Sequence, residues 1–138
     1  MRRLFAGLAS LSLVFALALP ASGATQIRED AAWYRVHFGT GVGDPVPPED
    51  VYTFIDTIVT DRFPDGLTIT DTRGQWSSKE YGLTRERTFV VDIQCEDSDE
   101  NFDKIREIAD SYIRNFAQAK ASCFVKRIPG VTTILYYQ

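Results

Sequence analysis

Histidine occurs once, at position 37, and cysteine only twice, at 95 and 123. That scarcity excludes the His/Cys zinc signatures, which gather four such ligands at close spacing. The acidic residues Asp97, Asp99 and Glu100 lack the glycine-centred spacing of a calcium loop and suit the start of a helix instead. No P-loop, no G-x-S-x-G elbow and no H-E-x-x-H is present. Gly39-Thr40-Gly41-Val42-Gly43 lacks the third glycine of a dinucleotide loop, and prolines intervene before the next helix, so it reads as a flexible loop. Neither a cofactor nor a metal is expected. Lysine and arginine form no run, and acids outnumber them 19 to 15, giving a net charge of −4. Such a chain repels phosphate backbones, so nucleic acid is not an expected partner.

What is present is an ordinary globular composition, 44% hydrophobic and 25% charged, over 138 residues. That length suits one domain. Met1-Arg2-Arg3, an apolar stretch from Leu4 to Leu19, then Pro20 and small residues to Ala24, follow the order of a secretory signal. The apolar stretch is shorter than the roughly 20 residues a spanning helix needs. Cleavage between Ala24 and Thr25 is expected, leaving no stable membrane anchor and a periplasmic or secreted protein. Loss of Arg2 and Arg3 makes the mature chain more acidic still. Residues 25–32 read as a polar lead-in, and 33–138 as a single α+β domain.

Trp33 to Phe38 alternates with period two, which predicts a strand. After Pro47-Pro48-Glu49-Asp50, Val51, Phe54, Ile55, Ile58, Val59 and Phe63 lie on one helical face. Phe63-Pro64-Asp65-Gly66 ends that helix and turns the chain. Leu67 to Thr72 alternates again, and 73–82 reads as a long hairpin connection. Arg85 to Cys95 is a third strand. Asp97, with Glu100 three residues on, is the expected cap of a second helix whose apolar face runs from Phe102 to Phe116. A fourth strand begins near Ser122, is interrupted at Pro129-Gly130 and resumes at Thr132, a pattern that fits an edge strand or a bulge. The order β-α-β-β-α-β is ferredoxin-like, with a four-stranded antiparallel sheet and two helices on one face.

The same alternation names the sheet face left bare: Trp33, Arg35, His37, Thr68, Thr70, Thr72, Glu86, Thr88, Val90, Asp92 and Gln94. Opposite Asp92 or Glu86, His37 would be oriented as a general base; the plainer reading is a histidine paired with an acid on a wet surface. Cys95 and Cys123 are expected at the same end of the sheet but two strand spacings apart, about 9.6 Å. Disulfide Cα atoms rarely exceed about 6.8 Å, so the pairing stays open.

Phe38-Gly39, then Phe54 through Arg62-Phe63-Pro64-Asp65-Gly66-Leu67-Thr68, then Asp71, Gly74-Gln75-Trp76 and Arg85-Glu86 resemble the bacterial family called domain of unknown function 3574. The likeness spans about residues 34 to 118 and fades in the last strand. It implies an exported protein but no established activity. Many members carry a lipoprotein signal, whereas no cysteine lies near residue 24 here. Folded over the bare face, the hairpin would place Gln75, Trp76, Arg85 and Glu86 around a pocket floored by His37. Three functions compete: a binding or interaction domain that self-associates through the bare face, as a homodimer; a small enzyme of the dimeric α/β-barrel type with His37 as general base on a small molecule; and a purely structural envelope protein.

Overall fold

Tyr34, Val36 and Phe38 are fully buried beneath the helices, together with Phe89, Val91 and Ile93 of the neighbouring strand. The phase of the alternation is therefore as the sequence predicts. The computed structural model describes residues 25–136; the export signal expected at 1–24 lies outside the described residues. Four strands, β1 (Thr25–Gly39), β2 (Leu67–Ser78), β3 (Gly82–Glu96) and β4 (Ser122–Tyr136), form one antiparallel sheet in the order β2-β3-β1-β4. Two helices cover one face of this ferredoxin-like sheet, which is why their apolar stripes and one side of every strand agree.

The first helix runs through Pro48–Phe54, Ile55–Val59 and Thr60–Arg62. Its middle stretch widens into π turns, and Thr60 uses both its backbone N–H and its hydroxyl on the Ile55 carbonyl. Val51, Phe54, Ile55 and Val59 stay buried across the widening. The second helix, Asp99–Asn115, buries Ile105, Ile108 and Tyr112. Each such side chain contributes roughly 1.5–3 kcal/mol by leaving water. Ser98, not Asp97, caps this helix by accepting from the Asn101 N–H at 3.3 Å. Asp97 instead takes a hydrogen bond from Arg127 of β4.

Residues 25–32 are not a lead-in. They extend β1 and pair with the far half of β4, from Thr25 opposite Tyr136 onward. Polar composition hid the strand, because half of an antiparallel ribbon can face water. Residues 73–82 are likewise not a loose connection: β2 and β3 pair in unbroken register to a tight turn between Ser78 and Gly82. Pro129-Gly130 does not break β4. The register shifts there, Gly130 adopts a φ of +67°, and β4 is an edge strand, where a missing N–H costs no ladder bond.

The two cysteines do not lie at the same end of the sheet. Cys95 stands opposite Ala32, whereas Cys123 stands opposite Phe38 on the other side of β1. Six residues of strand separate them, about 20 Å. β3 and β4 both run antiparallel to β1, so the end of one and the start of the other fall at opposite ends. The sulfurs are not bonded to each other, and no curling of strand ends would close that gap.

Candidate functional site

β1 leaves the sheet at Gly39, between Thr88 of β3 and Ser122 of β4. The glycine loop that follows is tied down rather than loose. Thr40 donates to the Arg87 carbonyl through both its N–H, at 3.1 Å, and its hydroxyl, at 3.0 Å. The Tyr112 hydroxyl donates to the Gly39 carbonyl at 3.1 Å in the core. Gly41 has a φ of +89°, and a Cβ there would lie 1.9 Å from the Ala119 carbonyl oxygen. This conformation aims the Gly41 N–H at the Glu86 carboxylate, 2.8 Å away. The loop thus holds an acid of this chain.

Glu86 is only 9% exposed, although it belongs to the sheet face without helices. Its other oxygen accepts from the indole Nε1–H of Trp76 at 3.0 Å. Glycines on the flanking strands make room for it. A Cβ on Gly39 would lie 2.8 and 2.9 Å from its two oxygens, and one on Gly74 would lie 2.4 Å from the Thr88 hydroxyl beside it. Among the described residues no cation is paired with Glu86. Around this carboxylate opens a cavity of about 330 Å³ lined by His37, Gly39, Gly74, Gln75, Trp76, Glu86, Thr88, Ser122 and Phe124. Volumes of about 300–1,000 Å³ are usual for small-molecule sites.

His37 stacks on Phe124, ring centroids 4.2 Å apart and planes 13° apart. Burial, reinforced by the positive charge of Arg35, holds its pKa below the ordinary 6.5. Among the described residues no carboxylate is hydrogen-bonded to it. Asp92 is taken by Arg35, whose Nε and Nη2 donate to its two oxygens at 2.7 and 2.9 Å, and by the Trp33 indole N–H at 2.9 Å. The Arg35 hydrogen bonds, with help from Trp33, hold the Asp92 carboxyl below the usual carboxylate range. The arrangement is a closed ion pair beside the pocket.

Of the residues singled out from sequence, the structure brings His37, Gln75, Trp76 and Glu86 together. Gln75 only edges the cavity, because its side-chain oxygen accepts from Arg85 Nε at 3.2 Å. Arg85 lines a different depression, with the glycine loop and Arg87. Arg35 and Asp92 engage each other, and Cys95 and Cys123 lie apart. Sequence reasoning missed Phe124, the most exposed aromatic wall at 60%, because its strand carries no clean alternation. It also missed Gly39 and Gly74 as the floor of the site. Among the described residues no group of three or more His, Cys, Asp or Glu is placed to hold a metal, and no helix is long and apolar enough to cross a membrane.

Residues 34–127 match the family described as Protein of unknown function (DUF3574). The chain belongs to this family. Gly39, Gly74-Gln75-Trp76 and Glu86, drawn from three of the segments on which the family resemblance rests, line the pocket. Among curated proteins, none matches the chain. In fold, this DUF3574 domain is similar to a phage SAM lyase in complex with S-methyl-5'-thioadenosine, with a TM-score of 0.57 and 21% identity over 82% of this chain and 93% of that one. It is also similar to CutA from Synechococcus elongatus complexed with Bis-Tris, with a TM-score of 0.50 and 9% identity over 78% of this chain and 89% of the other. At these identities the likeness is one of fold.

Proposed function

We propose that this DUF3574 protein is an exported binding domain that takes a small molecule in the pocket at the end of β1, on the sheet face the helices leave bare. The observation that carries this reading is Glu86. A carboxylate taken out of water loses several kcal/mol of solvation unless it is neutralised or fully hydrogen-bonded. Among the described residues Glu86 has two N–H donors and no paired cation, yet it is buried in a hollow walled by aromatic rings. A neutral side chain would serve the fold at less cost, so the charge is read as belonging to recognition.

Self-association through the same face is supported by Phe124, whose ring is 60% exposed on the edge strand. A second copy laid over β4 would cover that ring and roof the pocket. The enzyme reading has less support, because both acids that would orient His37 are engaged elsewhere, Asp92 by Arg35 and Trp33 and Glu86 by the Gly41 and Trp76 N–H groups. The test is a thermal-shift screen of water-soluble metabolite-like compounds, with sedimentation velocity on the same sample. Compounds that stabilise the wild type and fail on Phe124→Ala support the pocket. A monodisperse oligomer that Phe124→Ala dissociates, with no compound stabilising either protein, overturns the small-molecule reading in favour of self-association.

A further inference from the structure

We propose that the pocket recognises a small organic ammonium ion, its positive centre set against the Glu86 carboxylate and the rings of Trp76 and Phe124. The proposal rests on the binding reading above and adds the charge and class of the ligand. Among the residues lining the cavity, Glu86 and His37 are the ionisable ones, and burial and Arg35 weaken the hold of His37 on a proton. The neighbouring cations are turned elsewhere. Arg35 is closed on Asp92, Arg87 on Asp71, and Arg85 on the Gln75 side chain. The lining of the hollow therefore holds one carboxylate that no cation pairs with among the described residues, which disfavours anions and leaves a neutral ligand without a match for it.

The ring geometry selects among cations. The lining includes the rings of Trp76 and Phe124, the latter stacked on His37 through one face, and aromatic faces attract a diffuse, weakly hydrated cation. A hard metal ion would need about six oxygen ligands, and the side chains of the lining offer one carboxylate, the Thr88 and Ser122 hydroxyls and the Gln75 amide oxygen, which already accepts from Arg85. The indole N–H of Trp76 is already spent on Glu86, so that ring is locked with its orientation set before any ligand arrives. Such preorganisation is what lets a small, partly open site bind at all.

The test uses choline and its neutral carbon isostere, 3,3-dimethylbutan-1-ol, titrated into the full-length mature protein. The indole N–H resonance of Trp76, assigned by its loss in Trp76→Phe, reports binding. Choline is expected to bind about tenfold more tightly than the isostere. Glu86→Gln should abolish the difference. Phe124→Leu, at an exposed edge-strand position, keeps apolar contact but removes the π face; it should weaken choline about three- to tenfold and leave the isostere within about twofold. This second variant decides the matter where Glu86→Gln does not fold. An isostere that binds as well as choline overturns the cation while leaving the pocket reading intact. Silence from both at millimolar concentration overturns the cation and counts against the pocket.

Discussion

Gly39 is the surface on which Glu86 lies: a Cβ at position 39 would stand 2.8 and 2.9 Å from the two carboxylate oxygens and 2.2 Å from the Ser122 hydroxyl. A glycine inside a strand is ordinarily a weakness that alanine relieves, by roughly 0.5–1 kcal/mol. Here the expected sign is reversed. Gly39→Ala should destabilise the domain by about 1–3 kcal/mol, as overpacking does. Ser122→Ala in the same chain should return part of the loss, because it removes the nearest clash and the two sites are coupled. Urea denaturation of the two single variants and the double variant measures this. A Gly39→Ala protein as stable as the wild type would show that Glu86 is not seated there.

Tyrosines 34 and 112 should respond in opposite ways to loss of the hydroxyl. Both rings are fully buried. Tyr112 donates to the Gly39 carbonyl, so Tyr112→Phe strands a buried acceptor beside the site and should cost about 1–2 kcal/mol. The Tyr34 hydroxyl is buried with no hydrogen-bond partner among the described residues. Its desolvation is uncompensated, and Tyr34→Phe should be neutral or stabilising by up to about 1 kcal/mol. Equal losses from both changes would contradict this contrast.

The thiols should remain thiols in an oxidising medium. Cys95 is buried and stands some 20 Å along the sheet from Cys123, by about 3.3 Å per strand residue. Burial, with the nearby Asp110 charge, pushes the Cys123 thiol up to about 12, so little thiolate exists at neutral pH. Intact-mass measurement after diamide treatment should show no loss of two hydrogens. Iodoacetamide should label both cysteines quickly only in denaturant. A cross-linked monomer formed without unfolding would refute the strand register.

The parts of this fold that were legible in sequence are those where one physical signal acts alone. Tyr34-Val36-Phe38 and Val51 to Phe63 each carry a strong apolar period, and packing confirms it. The helix cap was missed by one residue because Asp97 and Ser98 are both good caps, and the ion pair with Arg127 decides between them. The ribbon at 73–82 was missed because serine, glycine and charge mimic a loop when both faces of a hairpin meet water. The pocket was half legible: Glu86 and His37 follow from strand parity and Trp76 from the family motif on the hairpin, but parity cannot reveal that Asp92 goes to Arg35. That choice depends on which partner reaches it in three dimensions, and the planar guanidinium matches both oxygens where one imidazole nitrogen would match one.

His37, the only histidine in the chain, gives a direct reading of the field inside the pocket. Burial is the larger cause of its lowered pKa and Arg35 the next, while Asp92 pulls the other way. The sign for stability follows. As pH falls below the ordinary 6.5, the unfolded chain takes up a proton before the folded one does. Stability should therefore decline from that pH down to the folded pKa and then level off as far as this group is concerned. His37→Gln should remove that decline from the pH profile of the urea midpoint. The imidazole Cε1–H resonance should titrate below its value in denaturant. In Asp92→Asn it should titrate lower still, since the variant loses the one charge that raises it and leaves Arg35 uncompensated. A midpoint at or above the denatured value would mean that the pocket is wet and that the Glu86 carboxylate, not Arg35, dominates the potential at His37.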